Sequence, residues 1–112
     1  MRIGFIGAGK VGFTLGKYFR EHGIEVTGYY SRSIQSASEA AEFTATNVYI
    51  RRDDLLAASD VLFFTLPDKE IESVYRQVSQ LPIRGKIFCH CSGALSAQDA
   101  FPNIDDFSAT GF

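Results

Sequence analysis

The sequence predicts an α/β domain with a doubly wound, mainly parallel sheet in three α/β/α layers, carried by all of residues 1–112. Three observations predict it. Short apolar runs alternate with segments of helical periodicity from one end of the chain to the other. Where the first strand should hand over to the first helix, four glycines fall within ten residues: Gly7, Gly9, Gly12 and Gly16. The composition is globular, 46% hydrophobic and 21% charged, and a chain of this length closes one modest core.

The elements follow in order. Residues 2–6 (RIGFI) are apolar, end in glycine and read as a buried strand. Residues 10–22 read as a helix, with Val11, Leu15 and Phe19 on one face and Gly23 as its stop. A second strand is expected at 25–30 and a second helix at 33–42. That helix is capped by Ser33 or Ser36, because Ser36 and Glu39 also have capping-box spacing. A short strand at 47–50 and a short helix at 53–58 come next. Residues 61–66 (VLFFTL) form the most apolar strand, ended by Pro67 and by Asp68 as a helix cap. The helix at 69–80 places Ile71, Val74, Tyr75 and Val78 at helical spacing. A strand at 87–90, a helical turn at 96–100 and a last strand at 106–110 complete the pattern.

The formal net charge of -2 argues against nucleic-acid or membrane-surface partners. No apolar run approaches the ~18 residues of a membrane span. Met1-Arg2 leads directly into a strand whose glycines interrupt any secretory apolar core, so a cytoplasmic setting is expected. Cys89 and Cys91 stand one residue apart, where a disulfide would be strained, and are expected to stay reduced.

Gly7-Ala8-Gly9-Lys10-Val11-Gly12 spells G-x-G-x-x-G between a predicted strand and a predicted helix, the context that gives this pattern its meaning. Gly7 permits the tight turn, Gly9 lets a pyrophosphate approach the backbone, and Gly12 lets helix and strand pack closely, with Gly16 extending that contact. The helix start offers free N–H groups and partial positive charge to phosphates. The plainer alternative is tight packing alone.

A site for NAD usually places a carboxylate at the end of the second strand, on the ribose hydroxyls. Here that position reads Tyr30-Ser31-Arg32-Ser33, without an acid. An arginine flanked by hydroxyls suits a 2′-phosphate, so NADP is expected in preference to NAD. The alternative is a solvated turn and helix cap.

Two further strand ends should line the same groove. Leu66 and Pro67 would form an apolar and backbone wall. Ser92 and Gly93 would lie toward the nicotinamide, where the Ser92 hydroxyl has a hydrogen bond to offer and Gly93 permits close approach. His90 and Ser92 are weak catalytic candidates. A histidine has a suitable pKa for proton transfer, but at the end of a buried strand it more often serves the structure. Strand alternation sets His90 on the face opposite Cys89 and Cys91, and no second ligand cluster exists, so no metal site is expected.

The stretches "GFIGAGKVG", "YYSRS", "FFTLPD" and "HCSGALS" together resemble the N-terminal Rossmann-like domain of the 6-phosphogluconate dehydrogenase-like superfamily. More narrowly, they resemble the DUF2520 proteins, related to pyrroline-5-carboxylate reductase and to the deazaflavin-dependent NADP oxidoreductases. The resemblance covers nearly the whole chain, and "HCSGALS" is its more specific element. It implies NADP on the loop 7–12, with Ser31, Arg32 and Ser33 near the adenosine phosphate. It also implies Leu66, Pro67, Ser92 and Gly93 beside the nicotinamide half.

In these families a helical C-terminal domain follows, supplying substrate contacts and a dimer interface. This sequence carries no such segment. The expectation is therefore an NADP-binding domain of an oxidoreductase acting on a small C=O or C=N substrate, inactive alone and prone to pair as a homodimer. A non-catalytic nucleotide-sensing module is the main alternative. A flavin or sugar-nucleotide site, or a purely structural domain, stays open.

Overall fold

The structure is a computed structural model that describes residues 1–112. Six parallel strands form one sheet: β1 (Ile3–Ile6), β2 (Val26–Tyr30), β3 (Asn47–Val48), β4 (Val61–Phe64), β5 (Ile87–His90) and β6 (Thr110–Gly111). Their spatial order is β3-β2-β1-β4-β5-β6. The connecting helices are α1 (Lys10–Glu21), α2 (Ile34–Thr44), α3 (Arg52–Ala58), α4 (Asp68–Val78) and α5 (Ala97–Ala100), with a 3₁₀ turn at Ile104–Phe107. No helix is long and apolar enough to cross a membrane.

Strand alternation explains the two helical layers. On β1, Ile3 and Phe5 pack in the cluster that takes Ala37, Ala40 and Ala41 from α2, while Ile6 joins the cluster of α3, α4 and α5. On β4, Leu62 and Phe64 pack with that second cluster, and Val61 and Phe63 with the first. Gly4 lets α3 sit close, because a Cβ there would meet the Ser59 hydroxyl and the Leu55 side chain. The α3–α5 face is aromatic. Phe64, Tyr75, Phe88 and Phe101 are all buried, and their rings touch in tilted and edge-on pairs with centroids 5.1–6.0 Å apart. Full burial of such a side chain contributes roughly 1.5–3 kcal/mol.

Several boundaries depart from expectation. Of the predicted α1 stripe, Leu15 and Phe19 pack against the sheet layer, Phe19 with its ring on Phe5 and Phe63, while Val11 is 52% exposed; the fully buried residues of the helix are Gly12 and Gly16. Close backbone contact at these glycines adds to the side-chain packing of Phe13, Leu15 and Phe19. α2 runs on to Thr44 and ends on Ala45, in the left-handed conformation. Ser33, not Ser36, caps it, its Oγ accepting from the Ser36 N–H at 3.2 Å. Pro67 occupies the N-cap of α4. Asp68 is the first helical residue and makes no side-chain cap bond, so it acts on the helix start through charge alone. β4 stops at Phe64, and Thr65–Leu66 turn out toward the helix. The last strand is not at 106–110. Ile104–Phe107 wind as 3₁₀ between left-handed Asn103 and Ser108, and only Thr110–Gly111 pair with β5.

Candidate cofactor site

The registers of three strands bring their ends to one line. Ile6 lies opposite Tyr30 on one side and Phe64 on the other. The loops that follow, at residues 7–9, 31–32 and 65–67, therefore emerge side by side. β1 and β4 are also where the strand order reverses, the position at which open α/β sheets hold ligands. A groove of about 870 Å³ runs along this edge.

Gly7 makes the turn into it with φ +105°, and an added Cβ would strike the Thr65 carbonyl. The Gly7 N–H donates to the Tyr30 carbonyl at 2.8 Å, and the Gly7 carbonyl accepts from the Thr65 hydroxyl at 3.0 Å. The turn is thus tied to both neighbouring strands. Gly9 differs: a Cβ there would meet nothing within 4 Å. Its backbone faces open space at the start of α1. No side chain caps that helix start, and its first turn holds no acid. Free N–H groups and positive helix charge are left for an anion. Under the helix, a Cβ on Gly12 would come 2.7 Å from Thr65 Oγ1.

Of the predicted residues, Gly7, Ala8, Gly9, Ser31, Arg32, Leu66 and Pro67 line the groove. Lys10, Val11 and Gly12 form the first turn of α1 and lie outside its lining, as does Ser33, which caps α2. Ser92 and Gly93 also lie outside it, beyond β5 at the same sheet edge. The Ser92 Oγ accepts from the N–H groups of Ala94 and Leu95, at 3.1 and 3.2 Å, and so builds its own turn. His90 is fixed in that turn: its Nδ1 accepts from the Ser92 N–H at 3.0 Å, and its ring meets Phe101 edge-on. In the neutral imidazole the proton then sits on Nε2. Cys89 packs with the opposite layer, and burial first, then the neighbouring Cys91, pushes its thiol pKa up. No three metal-ligating side chains converge.

The structure adds residues the sequence did not single out. Arg52 at the start of α3 and Glu70 and Gln77 on α4 line the far end of the groove. Arg32 reaches across to Glu70, with Nη2 2.9 Å from Oε1. Arg52 lies over the Tyr30 ring, 5.8 Å from its centroid, and hydrogen-bonds Gln77. Only the strand order brings these helices to the end of β2.

A glycine turn open at Gly9, beneath an uncapped helix start at the switch of a parallel sheet, fits a dinucleotide pyrophosphate. The family profile described as "NADP oxidoreductase coenzyme F420-dependent" matches residues 2–92. The chain belongs to this family of NADP oxidoreductases.

Solved structures share the fold. Imine reductase BcSIRED from Bacillus cereus BAG3X2 is 22% identical over 98% of this chain and 38% of that chain, with a TM-score of 0.80. The 3-hydroxyisobutyrate dehydrogenase of Mycobacterium tuberculosis, with L-serine, is 20% identical over 98% and 38%, with a TM-score of 0.78. A variant imine reductase from Myxococcus stipitatus in complex with NAD+ is 19% identical over the same shares, with a TM-score of 0.79. The chain thus spans 38% of the length of each. No curated protein matches it by sequence.

Proposed function

We propose that the chain is the NADP(H)-binding domain of an oxidoreductase that transfers hydride between nicotinamide and a small C=O or C=N substrate. The open Gly9 turn at the uncapped start of α1 carries the dinucleotide reading. Ser31 and Arg32 at the end of β2 support NADP, since the carboxylate of an NAD site is missing there. Glu70, the one acid lining the groove, is already paired with Arg32. Support for the reaction class comes from the family and from the names of the similar structures, an imine reductase and a 3-hydroxyisobutyrate dehydrogenase. When bound, the nicotinamide supplies or accepts the hydride. The chain's own part is to hold and orient the cofactor: the glycine turn and helix start hold phosphate, and Leu66-Pro67 form the wall between β1 and β4. Ser92 and Gly93 would meet the nicotinamide end from β5. A cytoplasmic setting and a small-molecule partner fit this reading.

Calorimetric titration with NADPH and NADH tests it. NADPH is expected to bind more tightly, and Arg32→Ala to narrow the gap by about tenfold, the scale of one charge-assisted contact. Failure of both cofactors to bind at millimolar concentration would overturn the reading.

A further inference from the structure

The groove holds three cations, Arg32, Arg52 and Lys69, and they are not equivalent. Arg32 is exposed and already neutralised by Glu70. Lys69 stands on the α4 wall. Arg52 is half-buried and forms no salt bridge; its hydrogen-bond partner is the neutral amide of Gln77. Its sequence neighbour Arg51 behaves differently, pointing to solvent and pairing with Asp53 at 3.5 Å. α2, which leads away from Arg32, has no lysine or arginine at all. Any second positive charge near the end of β2 must therefore come from another element.

Tyr30 provides the link. It is the last residue of β2, immediately before Ser31-Arg32, and the Arg52 guanidinium rests over its ring. The contact to Tyr30 on one side and Gln77 on the other fixes the charge in place. An arginine so held loses little further freedom on meeting a phosphate, and its planar fork matches phosphate oxygens.

We propose that Arg52 is a second determinant of cofactor choice. Its guanidinium, held over Tyr30 and tied to Gln77, supplies an unpaired positive charge that meets the 2′-phosphate at the end of β2. The inference rests on the NADP reading above and adds to it a residue from α3. Sequence position alone gives no hint of this role, because Arg52 lies twenty residues beyond Arg32.

The test is equilibrium titration of NADPH and NADH against wild type, Arg52→Gln, Arg52→Met and Arg52→Lys. Thermal unfolding of each variant reports its folding. The readout is the ratio of the NADH to the NADPH dissociation constant. In Arg52→Gln this ratio is expected to fall by about tenfold or more, and in Arg52→Lys by less, because the charge remains. Arg52→Met keeps the apolar stem over Tyr30 and gives the same answer should the glutamine variant not fold. A role as a mere strut between α3 and α4 would weaken both cofactors alike and leave the ratio unmoved, which overturns the proposal. A lysine variant that loses as much as the neutral ones overturns it too. Wild type without preference for NADPH removes the NADP reading together with this one. A preference that survives in the Arg52 variants but vanishes in Arg32→Ala leaves the NADP reading standing and Arg52 without a part.

Discussion

Glu70 looks misplaced in a groove proposed to bind phosphate. Its carboxylate would repel a 2′-phosphate, yet it accepts a hydrogen bond from Arg32 at 2.9 Å. Two effects oppose each other. The carboxylate steadies an otherwise 85% exposed guanidinium, but it also cancels its charge. An ion pair so open to water contributes little, ~0–1 kcal/mol, so the steadying is weak. The repulsion is the larger effect, because the dianionic phosphate would enter the space the pair spans. Glu70→Gln keeps a hydrogen-bond acceptor for Arg32 and removes the charge. It is expected to tighten NADPH binding by about threefold to tenfold, on the order of 1 kcal/mol, with a smaller effect on NADH. Fluorescence titration of the reduced cofactors decides it. Weaker NADPH binding would mean that Glu70 serves to position Arg32.

α1 meets the sheet through buried glycines as well as through Leu15 and Phe19. A Cβ on Gly16 would overlap the Tyr29 hydroxyl, which donates to the Gly12 carbonyl at 2.8 Å. Two forces set the outcome of Gly16→Ala. Alanine favours a helix interior by ~1 kcal/mol. Overpacking against a buried, hydrogen-bonded ring costs ~1–3 kcal/mol, so net destabilisation is expected. Urea unfolding measures it, and the double variant with Tyr29→Phe should recover part of the loss by removing the clashing oxygen. Additive losses would show that the contact is slack. The same helix shows what was legible in the sequence. The hand-over from strand to glycine turn to helix could be read because φ +105° at Gly7 and close packing at Gly12 are demands that only glycine meets. On the packed face of α1, Leu15, Phe19 and the two glycines could be read, and Val11 was misplaced, because it sits in the first turn beside the open glycine loop. The tail was misread because Asn103 and Ser108 take left-handed conformations that few non-glycine residues adopt, which winds Ile104–Phe107 instead of extending it. Ser31 and Arg32 could be read from their distance to the glycine loop. Arg52 and Glu70 could not, since their place beside them exists only once β1 separates β2 from β4.

At the scale of the whole molecule, the domain is small and its stability margin must be modest. Titration of one buried group can then move the entire unfolding equilibrium. Tyr29 is fully buried between α1 and the sheet, stacked on Phe5, and burial raises its pKa to about 12. In the unfolded chain it would titrate near 10. The fold thus disfavours the phenolate. The stability tied to the neutral phenol is complete below pH 10, falls as pH rises from 10 to 12, and is lost above that. A difference of about two units corresponds to roughly 2–3 kcal/mol. Tyr75, also raised by burial, adds in the same direction. Lys86 works against both: burial lowers its pKa, so deprotonation relieves a strain the fold imposes on its charge. Its Nζ donates to the Ser59 carbonyl at 2.7 Å at the opposite end of the sheet, which makes it a separable contribution. Urea unfolding at pH 8, 10 and 11.5 should therefore show a steep loss of stability over the upper interval. Tyr29→Phe should start lower at pH 8, by about 1 kcal/mol for the lost bond to Gly12, and fall less steeply above pH 10. Parallel curves for the two proteins would mean that alkaline unfolding is set elsewhere and that the ring between α1 and β2 is more open to water than its packing shows.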